Sequence, residues 1–406
     1  MEPLTSFNIF TNIVSQFWIV WLGIILVFLV SIKTKRSTGL YGKLFDSPIG
    51  MTGFALVLFW VLTALFADLI MTHNPLDQVS GMKNKVPGTP LRGATENDYQ
   101  WYLLGGDHLA RDVFSRVIAG SRIVLKIAPL ATLFAFMVGI TLGLPAGYFG
   151  KKVDTTLSFL ANLILAFPVI LLFYLLVTPE IIETGLPKYL AGVMFLIPIL
   201  FMLLLWQSRF HIRPKVRNKF MFWTLLVGGW IYLGAAFNAD PLVIIRNLLY
   251  GSEVEWSLFP KGLVYMQANI LIVFVSVVFV NSPTVFRIVR GMTMDIQTRD
   301  YVAAAQTRGE TPWYIMLWEI LPNARGPLIV DFCLRIGYTI ILLGTLGFFG
   351  LGLESESPDW GTTINSGRKL LSIYTHPALP PALSLMSLVL GLNLLADGLR
   401  EQSLKD

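Results

Sequence analysis

Nine stretches of this chain, at about residues 12–32, 50–71, 124–148, 155–177, 189–207, 220–238, 263–281, 326–349 and 377–398, are mainly apolar and close to 20 residues long. About 20 such residues are what a helix needs to cross the hydrocarbon core of a bilayer. Backbone polar groups find no water there, and a helix satisfies them within its own segment. The chain is therefore expected to be an all-α, polytopic transmembrane bundle. Composition agrees: 54% of residues are hydrophobic and only 14% charged, against about 25% charged in ordinary soluble domains. The run from Phe17 to Ile32 has no basic segment before it and no small-residue cleavage site after it, so it reads as a retained helix rather than a signal peptide.

Charge placement orients the spans. With the N-terminus outside, the inside loops hold Lys33, Lys35, Arg36 and Lys43, then Lys151 and Lys152, then Arg209, Arg213, Lys215, Arg217 and Lys219. The next inside segments hold Arg287, Arg290, Arg299, Arg308 and Arg325, and finally Arg400 and Lys405. Short outside loops hold only Lys188, Arg246, Lys261, Arg368 and Lys369. This is the asymmetry of the positive-inside rule, and it predicts an outside N-terminus and a cytoplasmic C-terminus. The loop from Thr72 to Arg122 carries six basic residues outside, which is tolerated because long loops translocate largely regardless of charge. Its first half is rich in turn formers. Its second half, Asp112 to Lys126, has the apolar spacing of an amphipathic helix lying on the membrane surface.

The net charge of +6 is distributed as topology signals rather than as one basic face, so no nucleic-acid partner is expected. A single cysteine, Cys333, excludes an intrachain disulfide and a thiolate metal cluster. His73, His108, His211 and His376 are scattered along the chain, without the spacing of a metal helix. No phosphate-cradling Gly-x-x-x-x-Gly-Lys-Ser/Thr run and no Gly-x-Ser-x-Gly elbow occurs. The chain is thus not expected to hydrolyse nucleotide or to be an enzyme.

Two features interrupt the apolar pattern. Asp331 and Arg335 sit four apart within an apolar run, where they share a helix face and can pair. They fit either a transport path or a structural pair reaching the interface. The second feature is the polar, Ala-rich stretch Arg299-Asp300-Tyr301-Val302-Ala303-Ala304-Ala305-Gln306-Thr307-Arg308-Gly309, followed by Trp318-Glu319-Ile320-Leu321-Pro322-Asn323. Asp300 is expected to cap a short helix and Gly309 to end it; Pro312 opens the next, and Leu321-Pro322 marks a bend before the following span. Tyr301, Ala304, Ala305 and Arg308 are expected to share one side, and Ala303 to Ala305 permit close approach of another surface. Docking and mere connection both fit these residues.

The stretch Ala303-Ala304-Ala305 with Gly309 and Ile320-Leu321-Pro322 resembles the cytoplasmic "EAA" loop of ABC-importer permease subunits of the dipeptide/oligopeptide/nickel class. Further segments agree in order: Leu104 to Arg116 with Gly120-Ser121-Arg122; Pro283 with Arg287 to Gly291; Leu346 to Gly352 with Pro358-Asp359-Trp360-Gly361; and Asn393 to Arg400. Ala303 stands where the family usually has glutamate, and Glu319 where histidine is common.

The resemblance implies a six-helix permease core plus about three extra spans. In this division 1–48 is an extra N-terminal helix with a basic linker, and 49–122 is the first core span with the long periplasmic loop. Residues 123–400 form the permease domain, with a two-span insertion at about 178–262, and 401–406 form a cytoplasmic tail. The resemblance further implies a second permease subunit, two ATP-binding subunits and a periplasmic or extracellular solute-binding protein as partners. The chain itself would need no cofactor, since ATP is bound by the separate subunit. Asp300, Tyr301, Ala303, Ala304, Ala305, Arg308, Gly309, Leu321 and Pro322 would form the ATPase-coupling loop. The protein would sit in the inner membrane and import peptides. A lone ion-coupled transporter or channel, using Asp331 and Arg335, is the alternative; a membrane enzyme ranks below both.

Overall fold

Each of the nine apolar stretches is mainly helical where it is described, with breaks at Phe17, Phe66 and 166–168. The computed structural model describes residues 2–34, 40–95, 98–237, 268–351 and 356–403. Lys35, Arg36, Arg246, Lys261, Gly352 and Lys405 lie outside these residues, as do 238–262 of the expected insertion and 263–267 of the seventh span. Among the described residues, six single helices are long and apolar enough to cross a membrane: Pro48–Leu65, Val113–Phe149, Leu186–Arg209, Ile270–Ile296, Arg325–Phe348 and Leu379–Gln402. Two bent pairs raise the number to eight if each is one span. These are Ser6–Gln16 with Trp18–Thr34, bent by 52°, and Lys151–Leu165 with Val169–Leu176, bent by 82°. Pro168 lies at the second break, where it disfavours helical backbone at Phe167. The remaining expected span, 220–238, lies in the 24-residue helix Pro214–Phe237 as far as it is described.

The structure corrects the expectation for Asp112 to Lys126. This stretch does not lie apart as a surface helix; it runs into the single helix Val113–Phe149. Residues 113–118 are all buried, so its first turns have no face left for a membrane surface. An amphipathic spacing that is covered on its polar side as well becomes an interior helix.

The chain divides into two units, residues 1–130 with 329–406, and residues 131–328. In the first, Pro48–Leu65 packs along Leu379–Ser403 through glycine. A Cβ at Gly53 would fall 2.7 Å from the carbonyl carbon of Leu394, and one at Gly391 would fall 2.8 Å from Leu56 Cβ. Small residues at both faces let the backbones touch, which is how helices associate where lipid offers no hydrophobic drive. The Trp18–Thr34 helix adds to this pair through aromatic contact at its entry, Phe17 on Phe59 with ring centres 5.0 Å apart.

The long loop is mostly turns, with a two-residue antiparallel ladder pairing Thr89 with Tyr102 and Pro90 with Trp101. It is anchored by buried charge. Arg116 is fully buried, and its guanidinium donates to the carbonyls of Pro75 (3.3 Å), Glu356 (3.3 Å) and Ser357 (2.9 Å) and to Thr363 Oγ1 (3.2 Å). Asp107, also buried, accepts a hydrogen bond from Arg111 Nε at 2.8 Å. Beside them Trp360 is fully buried; its Nε1 donates to the Val117 carbonyl at 2.9 Å and its ring meets Trp60 edge-on. Asp359 caps the Trp360–Arg368 helix, accepting from the Thr362 amide at 2.9 Å, and burial pushes its carboxyl above the usual carboxylate range.

In the second unit, Gly139, Gly143 and Gly147 form a track on Val113–Phe149 that receives Val285, Val289 and Thr293 of Ala268–Ile296. Arg290 and Asp154 form an ion pair between Ala268–Ile296 and Lys151–Leu165, with Nη2 donating to Oδ2 at 2.6 Å. Leu186–Arg209 and Pro214–Phe237 form an antiparallel hairpin, closed by Trp206 Nε1 donating to Thr224 Oγ1 at 3.0 Å.

Arg116→Ala would take their shared donor from three partly buried carbonyls, a loss of about 3 kcal/mol. The expected outcome is a lower thermal midpoint in detergent and faster amide exchange in 72–112 and 356–368. An unchanged midpoint and exchange pattern would show that Arg116 is not the anchor.

Candidate functional site

The Ala-rich loop is a helical hairpin whose two arms are closed on one another. Arg299 has extended backbone (φ −78°, ψ 147°), and the helix Asp300–Thr307 follows it. The Arg299 carbonyl accepts from the amides of Val302 (3.0 Å) and Ala303 (3.2 Å), so Arg299 is the N-cap. This corrects the expectation for Asp300, which stands at the first helical position. Its carboxylate still lies at the positive end of the helix.

The other end is as expected. Gly309 is left-handed (φ +79°), its amide donates to the Gln306 carbonyl at 2.9 Å, and Glu310 N–H donates to the Ala305 carbonyl at 3.3 Å. This double closure satisfies the last carbonyls of the helix. Thr311 then caps a second helix by accepting the Tyr314 amide at 3.3 Å, with Pro312 at its first position. The arm continues through a π-helical stretch, Ile315–Ile320, and the short helix Leu321–Asn323, where Pro322 again sits at the start.

Burial decides which face is free. Val302 and Ala305 are fully buried, and so are Ile315, Met316 and Ile320 on the facing arm. Spaced three apart, Val302 and Ala305 make the inward stripe. Ala305 therefore does not share a side with Tyr301, Ala304 and Arg308, as the sequence suggested. Tyr301, Ala303, Ala304, Thr307 and Arg308 are exposed. Tyr301 borders a recess of about 530 Å³ that also meets Asp295, Arg299, Asn323 and Pro327. Leu321 is half-buried and Pro322 exposed at the far end of the hairpin.

Three contacts fix the hairpin in place. Arg308 Nη2 donates to Glu319 Oε1 at 3.0 Å, joining the two arms. Gln306 Nε2 donates to the Tyr148 hydroxyl at 3.2 Å. Trp318 Nε1 donates to Ser208 Oγ at 3.1 Å, and the Arg209 guanidinium lies 4.6 Å from the centre of the Trp318 ring. The last contact ties the inserted hairpin to this loop. It escaped sequence reasoning, since Ser208 and Trp318 are 110 positions apart and neither belongs to a motif. The Asp154–Arg290 pair was also missed, although an acid two positions after Lys151-Lys152 is a visible signal.

Asp331 and Arg335 pair as their spacing predicts, with Nε donating to Oδ2 at 2.9 Å and both side chains largely buried. They belong to the first unit and the hairpin to the second.

The model of one family, described as the binding-protein-dependent transport system inner membrane component, matches residues 139–403. Among similar proteins, the dipeptide transport system permease protein DppC of Alkalihalophilus pseudofirmus is 24% identical over 361 residues, covering 89% of this chain and 87% of the relative. The glutathione transport system permease protein GsiD of Pectobacterium atrosepticum is 28% identical over 298 residues, covering 73% and 70%. The probable D,D-dipeptide transport system permease protein DdpC of Escherichia coli K12 is 24% identical over 372 residues, covering 91% and 92%.

Gly309 is the position where the hairpin depends on one residue type. A side chain in left-handed backbone costs about 1 kcal/mol. Gly309→Ala is expected to speed amide exchange across 305–310 several-fold while the apolar helices keep their protection. Unchanged exchange would show that the turn does not need glycine.

Proposed function

The chain belongs to the family of binding-protein-dependent transport system inner membrane components, and from that premise we propose that it forms half of the path of a peptide importer. It is a multi-pass, non-catalytic permease subunit of an ABC transporter, working with ATPase and solute-binding partners. The finer reading is ours: one further permease, two ATPases and one external binding protein complete the assembly. ATP is bound on the ATPases and not on this chain. A peptide or a chemically related solute is the cargo, an assignment supported by relatives named for dipeptide and glutathione transport.

In this reading the hairpin from Asp300 to Pro322 receives the ATPase. The observation that carries it is the division of faces on Asp300–Thr307. Val302 and Ala305 are spent on holding the helix down, and Tyr301, Ala303, Ala304, Thr307 and Arg308 are left outward. Small side chains between an aromatic and a cation suit a helix laid in a groove. Glu319, which pairs with Arg308, stiffens the hairpin from within. The Asp331–Arg335 pair is read as structural, because each side chain neutralises the other within one helix and neither is left to bind cargo.

Closure of the ATPases would push the hairpin as a unit, so its stiffness is the testable property. A Gly-Gly insertion after Ala304 is expected to abolish uptake of a labelled dipeptide, with the protein still present in the membrane at the normal level. Normal uptake would sink the coupling assignment. For orientation, single cysteines at Glu2 and Arg217 in a Cys333→Ser background are expected to differ. A membrane-impermeant maleimide should label Glu2 on intact cells and Arg217 only after permeabilisation; the reverse pattern overturns the outside N-terminus.

A further inference from the structure

The inserted hairpin, Leu186–Arg209 and Pro214–Phe237, has features that the transport reading leaves unused. With the second half of Val113–Phe149 it encloses an apolar cavity of about 440 Å³. Phe195, Met202 and Trp206 form one wall and Phe220, Val227 and Ile231 another. The wall from Phe195 to Trp206 extends about 17 Å along the helix axis. The polar groups of Trp206 and Thr224 are spent on each other at 3.0 Å. What remains is a long slot suited to hydrocarbon.

One end of the slot is closed by stacked rings. Trp206 and Phe220 lie nearly parallel with centres 4.6 Å apart, and Phe210 stacks on Phe220 at 5.4 Å. Immediately beyond them the chain reads Arg213-Pro-Lys215-Val-Arg217-Asn-Lys219, with four cations and no acid. The Arg217 amide donates to the Arg213 carbonyl at 3.0 Å, so helical geometry reaches back to Arg213. Arg213, Arg217, Phe220 and Thr224 then follow at intervals of four, three and four, which sets both arginines on the side of the helix that lines the slot. Among the described residues, none of Arg213, Lys215, Arg217 and Lys219 forms an ion pair with a carboxylate. Arg209, by contrast, is engaged over Trp318.

We propose that this hairpin binds one anionic phospholipid, with an acyl chain in the slot and the phosphate between Arg213 and Arg217. Apolar slot and basic mouth lie end to end, as chain and head group do in a lipid. Lys215 and Lys219 add the field that favours a net negative head group over a zwitterionic one. An acidic protein surface would satisfy the cations and leave the slot open, so lipid accounts for both halves of the site.

The test is native mass spectrometry of the full chain in mild detergent, titrated with phosphatidylglycerol or with phosphatidylcholine of the same acyl chains. Phosphatidylglycerol is expected to be retained about tenfold better. Arg213→Gln with Arg217→Gln, an exposed and a half-buried residue at the hairpin tip, should lower its retention to that of phosphatidylcholine. Gly228→Leu, which fills the slot, should lower retention of both lipids. Equal retention of the two lipids by the unmodified protein overturns the proposal, as does full retention of phosphatidylglycerol by the double variant. A double variant that keeps the lipid but loses a co-purifying ATPase would assign the basic turn to a protein partner and also overturn it. None of these readouts depends on peptide uptake, so the proposal stands or falls apart from the transport reading.

Discussion

A polar group taken out of water must find its partner inside the protein, and most of the described structure follows from that requirement. Backbone groups meet it by forming helices. Side chains meet it in pairs: Arg116 with the carbonyls of Pro75, Glu356 and Ser357, Arg290 with Asp154, and Arg335 with Asp331. The partners differ in sequence separation, and so do their roles. Asp331 and Arg335 settle their charges within one helix. Arg116 settles its charge on two segments of chain far from itself and so ties the long loop to the Trp360 region.

The same separation explains what was legible from residues alone. Apolar length announces helices, and each of the nine expected segments is mainly helical where described. The stop at Gly309, the start at Pro312 and the Asp331–Arg335 pair are local, carried by residues within about one turn of each other, and they appear as read. The errors at the hairpin are local too. The Asp300 side chain suits the cap position, but the Arg299 backbone occupies it. Helical spacing groups Ala305 with Tyr301, Ala304 and Arg308 without saying which group faces in; the signal that it faces in is Val302, the one bulky aliphatic residue in the run.

Contacts of long range were out of reach in a different sense. Nothing near Trp318 indicates that Ser208 will accept its proton or that Arg209 will cover its ring. Those contacts turn the insertion from an appendage into a neighbour of the hairpin that receives the ATPase in our reading. Similarly, the amphipathic spacing from Asp112 to Lys126 suits a membrane surface as well as a protein interior. Only the covering of residues 113–118 decides between them.

The track of Gly139, Gly143 and Gly147 carries a consequence for how its two helices are held. Val285 and Val289 repeat at the same interval of four residues, so the contact is periodic on both sides. Sliding one helix by a single period, about 6 Å, would set like against like again. A periodic seam of this kind favours closeness without choosing an alignment. The alignment has to come from something that occurs once, and the Asp154–Arg290 pair is such a mark: it joins Ala268–Ile296 to Lys151–Leu165, the helix that follows Val113–Phe149 directly in the chain. Glycine brings the two helices together, and an ion pair to the next helix along tells them where to stop.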